Sequence, residues 1–215
     1  MESPDLQMSR LGESGLLFQS KGPLSLDVQG HYWSLDLQCR DIQGVAECVL
    51  GMHSLLLCLS PDADPEDIHQ RVLQSWRSIT PMAPRSTLVD IPVVYDGEDL
   101  NGIAARKHLS VAEIVLLHTS GEYTVFALGS QPGFPYLGGL DERLAEPRRT
   151  EPRVRVEAGS VVIGGGQTGI ISRTSPSGWH IIGHTETQLF DINRTQAALL
   201  SPGDRVRFTA VAMST

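Results

Sequence analysis

From Arg153 onward the sequence leaves no room for a long helix. Short β-branched runs, Arg153 to Val156, Ser160 to Ile163, Gly169 to Ile171, Trp179 to Ile182 and Arg205 to Val211, alternate with Gly and Pro turns. Branched side chains suit a pleated surface, and the Gly and Pro residues between them break the chain before any helix could propagate. This spacing predicts a closed or sandwiched antiparallel sheet.

The first eighty residues have a different pattern and read as a small α+β unit. Gly15 to Gln19, Val45 to Leu50 and Ser54 to Leu59 are strand-like, and a helix is expected from about Val28 to Ile42. A second helix is marked by Asp64 as cap, Pro65 at the first helical position and an apolar stripe of Ile68, Val72, Leu73, Trp76 and Ile79. The segment Thr80 to Ser86 has two prolines and no apolar period, so it reads as a linker. These features predict an α+β chain with an N-terminal domain over residues 1–82 and a mostly β domain over residues 83–215. In the second, Leu88 to Tyr95 and Tyr123 to Gly129 are strand-like, and Ser110 with Glu113 opens a short helix by a capping box.

The stretch Gly164-Gly165-Gly166-Gln167-Thr168-Gly169 fits the dinucleotide pattern G-x-G-x-x-G, with Asp191 about 20 residues downstream. That fingerprint works only where the glycine turn leads from a strand into a helix whose N-terminal amides hold the pyrophosphate. Here Ile170 to Gly178 mixes branched residues with Pro176 and Gly178, which excludes the helix, and the P-loop lysine is absent. The glycines therefore predict a strand-to-strand turn with Gln167 and Thr168 at its tip. His180 and His184 have zinc-ligand spacing for a helix but sit in a predicted strand, where such positions lie roughly 13 Å apart, so no metal site is expected. A nucleophilic serine elbow is also missing.

The formal net charge of −8 argues against nucleic-acid binding, which needs a basic surface. The cations are 15 Arg and only two Lys, and Arg143, Arg148, Arg149, Arg153 and Arg155 fall in one window that suits an anionic small molecule. The polar, acidic start lacks the basic and apolar regions of a signal peptide, and no run approaches a membrane span. A cytoplasmic protein with reduced Cys39, Cys48 and Cys58 is the expectation.

Several motifs resemble one family in order and spacing: QPGFPYLG from Gln131, the PRR and PR pair around Arg148 and Arg153, AGSVVIGGGQTG from Ala158, SPSGWHIIGHT from Ser175, and the final PGDRVRF. The resemblance is to the KipI family, also called allophanate hydrolase subunit 1, and most of all to its members that serve as the B-type subunit of prokaryotic ATP-dependent 5-oxoprolinase. It covers nearly the whole chain. Three motifs depart from the family pattern: Y-G-G-E-x-G-P-D-L is shortened to Tyr95-DGEDL-Leu100, G-F-x-P-G-F reads Gly129-Ser130-Gln131-Pro132-Gly133-Phe134, and S-P-G-G-W reads Ser175-Pro176-Ser177-Gly178-Trp179.

The resemblance implies a cyclophilin-like β-barrel after the α+β domain, and a companion KipA-like protein, the C-type subunit of 5-oxoprolinase, sharing the cleft. It also implies a further, A-type subunit, with ATP and Mg used by the assembled complex and not bound tightly by this chain alone. The substrate would be 5-oxoproline, opened to glutamate; other relatives inhibit a sensor histidine kinase or form the carboxyltransferase part of a biotin-dependent urea carboxylase. His118 and His184 are the candidate acid, base or charge-holding groups, His118 being expected to face the QPGFPY loop. Phe134, Tyr136, Arg148, Arg153, Gln167 and Thr168 are the candidate substrate contacts, with the arginine forks suited to a carboxylate. The residue-level alternatives are an apolar helix face with a dipole-favoured histidine for His118, surface pairs with Glu146 and Glu151 for the arginines, and a core role for Trp179. Arg149 is assigned to the surface.

Overall fold

The structure is a computed structural model that describes residues 5–85 and 87–211. The chain divides into two compact units, the first ending at Pro84 and the second beginning at Arg85.

In the first unit, strands β1 (Gln7–Leu11), β2 (Gly15–Gln19), β3 (Val45–Gly51) and β4 (Ser54–Leu59) form an antiparallel sheet in the order β1-β2-β4-β3. Helix α1 (Leu26–Cys39) lies between β2 and β3 in sequence, and α2 (Pro65–Ser78) follows β4. The sheet's inward residues Leu16, Phe18, Leu55 and Leu57 alternate along β2 and β4, and they share one core with Tyr32 and Leu35 of α1 and Ile68, Val72 and Trp76 of α2. Asp64 caps α2 as expected, its Oδ1 accepting from the Glu66 amide at 2.9 Å. Helix α1 starts and ends earlier than its apolar pattern suggested. The extended Ser25 opens it, and after Cys39 the chain turns, with the Ile42 amide donating to the Cys39 carbonyl at 3.1 Å, so Ile42 enters the core from a turn. The three cysteines are free; burial pushes the thiols of Cys39 and Cys48 up to about 12 and about 11, which makes them packing groups and not nucleophiles.

The second unit contains β5 (Leu88–Val93), α3 (Leu100–Lys107), α4 (Val111–Ser120), β6 (Tyr123–Leu128), β7 (Pro135–Gly138), β8 (Arg153–Val156), β9 (Ser160–Gly164), β10 (Gln167–Ile170), β11 (Ser175–Ser177), β12 (His180–His184) and β13 (Arg205–Ala210). Seven of these strands make one sheet in the order β12-β9-β10-β7-β6-β13-β5, antiparallel except for β13 beside β5. Val94, just past β5, forms an antiparallel bridge to His184 at the end of β12, which brings the two outer strands together and nearly closes a barrel. Strands β8 and β11 pair separately. Ile103 of α3 and Ile114 of α4 are buried with Val125, Leu137, Ile163, Val206 and Phe208 in the barrel core. The Ser110–Glu113 capping box is complete, with the Ser110 amide donating to Glu113 Oε2 at 2.7 Å and the Glu113 amide to Ser110 Oγ at 3.2 Å. Among the described residues no helix is long and apolar enough to cross a membrane.

The glycine-rich stretch is a hairpin. Gln167 of β10 pairs with Gly164 of β9, leaving Gly165 and Gly166 as a two-residue connection, and Gly165 takes a φ of 65° that a side chain would resist. No helix follows, so the amides that would hold a pyrophosphate are used in the sheet.

Candidate functional site

A cleft of about 400 Å³ opens beside the barrel, lined in part by Gln131, Phe134, Tyr136, Arg148, Arg149 and Trp179. Its aromatic wall is Phe134, Tyr136 and Trp179, whose rings meet edge-on with centroids 5.0, 5.6 and 6.2 Å apart. Two glycines of the G-x-G-x-x-G look-alike make that wall possible. A Cβ on Gly164 would lie 2.5 Å from Trp179 Cδ2, and one on Gly169 would lie 2.9 Å from Phe134 Cζ. The stiff loop between β6 and β7 presents Phe134, closed by a Gly129 amide bond to the Phe134 carbonyl at 3.1 Å; Ser130 and Gly133 both have positive φ. Within this loop Gln131 Oε1 is buried and accepts no hydrogen bond among the described residues.

The second wall is the strap from Pro147 to Arg153. Its first part is fixed by His180 Nε2–H donating to the Pro147 carbonyl at 2.9 Å and by the Arg149 amide donating to the Gly178 carbonyl at 2.8 Å. The arginines of the strap have different partners. Arg153 places both terminal nitrogens 2.9 Å from the Asp99 carboxylate and its Nε 2.8 Å from Glu98. Arg149 Nη1 reaches the same Asp99 at 3.3 Å. Arg148 alone of the three makes no ion pair among the described residues; its guanidinium stands 5.4 Å from the Trp179 ring centroid inside the cleft. Glu146, an expected partner, is instead engaged by Arg106 at 2.7 Å and Lys107 at 3.3 Å.

Asp99 is the centre of this arrangement. It occupies the N-cap position of α3 but makes no side-chain cap bond; its Oδ2 accepts from the Ile181 amide at 2.8 Å and both oxygens serve the arginines. Burial pushes the carboxyl up, and the hydrogen bonds from Arg153 and Ile181 with the Arg153 charge outweigh it, so the group ionises below the ordinary carboxylate range.

Of the residues singled out in the sequence, the structure brings Phe134, Tyr136 and Arg148 together in the cleft, with Arg153 behind them on Asp99. The other four lie elsewhere. His118 is fully buried among Tyr95, Tyr123 and Phe208 and does not face the QPGFPY loop, because it continues the inward face of α4. Its Nδ1 accepts from the Tyr95 hydroxyl at 2.7 Å and its Nε2–H donates to Thr168 Oγ1 at 2.9 Å. Burial lowers its pKa to about 3, so the ring is neutral. Gln167 and Thr168 are not at an exposed turn tip: both are buried in β10, and the Thr168 hydroxyl donates to the Val162 carbonyl at 2.9 Å. His184 is half-exposed, outside the cleft lining, with Nδ1 2.8 Å from Asp96 Oδ1.

Sequence reasoning missed Asp99 and Gln131 and placed Arg149 at the surface, whereas it lines the cleft and pairs with Asp99. Trp179 is the core residue expected, and its ring is also the face under Arg148. Asp99 was hidden because its partners Arg149 and Arg153 lie about fifty residues away in sequence and the helix it precedes has no readable pattern. The usable signal was the arginine cluster, which demands a buried counter-charge.

A family model for the carboxyltransferase domain, subdomain C and D, matches residues 6–200. The chain is similar to the B-type subunit of 5-oxoprolinase from Escherichia coli O157:H7, 43% identical over 202 residues that cover 92% of this chain and 93% of that protein. Among solved structures it resembles TTHA0988 with a TM-score of 0.81 and 34% identity, over 94% of this chain and 40% of that one, so the chain spans well under half of that longer protein. The fold also resembles that of Kluyveromyces lactis urea amidolyase, with a TM-score of 0.83 and 19% identity over 97% of this chain and 15% of that one.

Proposed function

The chain belongs to the carboxyltransferase domain, subdomain C and D, family, and from that membership we propose that it is the B-type subunit of an ATP-dependent 5-oxoprolinase. Its relatives of that name support the role, and one observation on this chain carries the chemistry. Arg148 is an unpaired guanidinium in an aromatic-walled cleft, where 5-oxoproline would bring a single carboxylate and a flat five-membered ring. Arg148 takes the carboxylate, and Trp179 with Tyr136 receives the ring. Holding a stable lactam in one pose lowers the barrier by orientation.

The cleft does not fit ATP with Mg. A triphosphate brings several negative charges and its metal needs carboxylates, whereas the cleft offers one unpaired cation, and no cluster of metal-ligating side chains occurs among the described residues. The nucleotide step belongs to partners, an A-type subunit together with a KipA-like C-type one. Support for a companion comes from TTHA0988, in which the matching region is part of a chain more than twice as long. His184 is the acid or base retained in this reading, since it is half-exposed and oriented by Asp96. His118 and Thr168 act on substrate only through the packing of β10, and Gln167 is assigned to the same strand.

The test is glutamate formation from 5-oxoproline and ATP by the subunits encoded beside this chain, assayed with and without it. Activity should require the chain, and Arg148→Gln should raise KM by about 10- to 150-fold, the worth of one charged hydrogen bond, with an unchanged melting temperature. A stable complex that is inactive, or indifferent to Arg148→Gln, overturns the proposal.

A further inference from the structure

The shortened loop after Tyr95, the largest departure from the family pattern, supplies Asp99. It approaches β12 so closely that a Cβ on Gly97 would lie 2.3 Å from the Ile182 carbonyl carbon and 2.4 Å from the Ile181 oxygen. The Gly97 and Asp99 amides donate to the Ile182 and Ile181 carbonyls at 3.2 and 3.1 Å, which anchors the loop by its backbone. The Asp99 side chain, only 11% exposed, is thereby held against the strap with its helix-capping role given up.

We propose that Asp99 sets the charge selectivity of the cleft: by neutralising Arg149 and tethering Arg153, it leaves Arg148 as the uncompensated cation of the strap and matches the cleft to a singly charged carboxylate over phosphate-bearing ligands.

The charge count supports this. Arg148, Arg149 and Arg153 face two carboxylates, Glu98 and Asp99, and every arginine ion pair in the group ends on Arg149 or Arg153, while His180 Nδ1 stands 4.0 Å from Asp99 Oδ2. Arg149 is adjacent to Arg148 in sequence and lines the same cleft, so without its counter-charge it would form a two-cation clamp of the kind that holds phosphates. Arg153 would remain paired with Glu98. A carboxylate needs one cation, whereas a phosphate in the intact cleft would keep negative charge that no second free cation offsets. The identity of the preferred carboxylate rests on the oxoprolinase reading; the selectivity does not.

The experiment is calorimetric titration of the full chain with inorganic pyrophosphate at fixed low ionic strength. Asp99→Asn keeps the acceptor for the Ile181 amide but removes the charge. It should bind pyrophosphate at least about tenfold more tightly than the wild type, and the gain should vanish in Asp99→Asn/Arg149→Gln. A folded Asp99→Asn with no gain, or a gain that survives loss of Arg149, overturns the proposal. Should Asp99→Asn fail to fold, the pair Arg148→Gln and Arg149→Gln on the wild-type background decides. Only Arg148→Gln should weaken binding of acetate or another monocarboxylate, and equal losses overturn the proposal. Pyrophosphate does not enter the glutamate assay, so failure here is distinguishable from failure of the oxoprolinase reading.

Discussion

The Nε2 of His118 lies 2.9 Å from Thr168 Oγ1, fifty residues further along the chain, and that contact fixes the protonation of the ring. The Thr168 hydroxyl spends its one proton on the Val162 carbonyl, so it must accept from His118, and Nδ1 is left to accept from Tyr95. Both ring nitrogens are used, the site is sealed from water, and charging the ring would cost a hydrogen bond as well as its hydration.

The stability of the protein should therefore fall in mild acid because of this residue. An unfolded histidine titrates near its ordinary value, while folded His118 titrates at about 3, so between those values the unfolded chain binds the extra proton and stability drops as pH falls. From pH 7 to pH 5 the expected loss is about 2 kcal/mol. Urea unfolding of wild type and His118→Asn at both pH values isolates the contribution. The variant should be less stable at pH 7 but should lack this part of the acid loss, and identical pH slopes would refute the assignment.

The glycine hairpin separates two kinds of glycine that one pattern makes look alike. Gly164→Ala should be severe, because its Cβ meets the backs of the Trp179 ring atoms at 2.5 to 2.7 Å and displaces the wall under Arg148. Overpacking of this kind costs about 1–3 kcal/mol. Gly166→Ala meets nothing within 4 Å and should leave stability and ligand binding unchanged, although a phosphate cradle would need that very glycine. Thermal melts and carboxylate titrations of the two variants provide the comparison, and a strong loss of ligand binding in Gly166→Ala would contradict the hairpin account.

How far the sequence was legible follows from which interactions are local. Strands β2, β4, β9 and β13 and helix α2 were readable because branched residues, a proline start and an apolar stripe act over a few residues. Strand β1 and helix α3 were not: β1 is a largely exposed edge, and α3 is one eight-residue helix containing Gly102, which derives its stability from burying Leu100 and Ile103 in the barrel. The site divides in the same way. Phe134, Tyr136 and Arg148 come from two readable motifs, but the pairing that makes Arg148 different from Arg149 and Arg153 depends on Asp99, about fifty residues away in sequence. For His118 the sequence left two readings open, because an apolar helix face and a catalytic histidine look the same until the partner across the core is known.

Gly97 should be as intolerant as any core position despite lying in a polar loop. Its missing Cβ allows the backbone bonds to β12 that hold Asp99 in place. Gly97→Ala should lower stability by about 1–3 kcal/mol and loosen the strap, seen as faster proteolysis between Pro147 and Arg153. Gly102→Ala, in the neighbouring helix with only the flexible end of Arg106 at 3.3 Å, should instead be neutral or stabilising by up to about 1 kcal/mol. Equal effects of the two substitutions would mean that the loop tolerates displacement.

His184 and Asp96 give the sharpest test of the proposed acid or base. The pair is half-exposed on both sides, so as an ion pair alone it should contribute about 0–1 kcal/mol, and His184→Gln should barely move the melting temperature. If the imidazole transfers a proton in the assembled complex, the same substitution should lower kcat by about 100-fold or more while leaving KM nearly unchanged, because proton transfer acts in the transition state and not in binding. Asp96→Asn should fall between, since it removes the orienting charge at Nδ1 but keeps an acceptor there. Full kcat in a stable His184→Gln complex would reduce the pair to a surface contact and shift the search for the proton donor to the partner subunits.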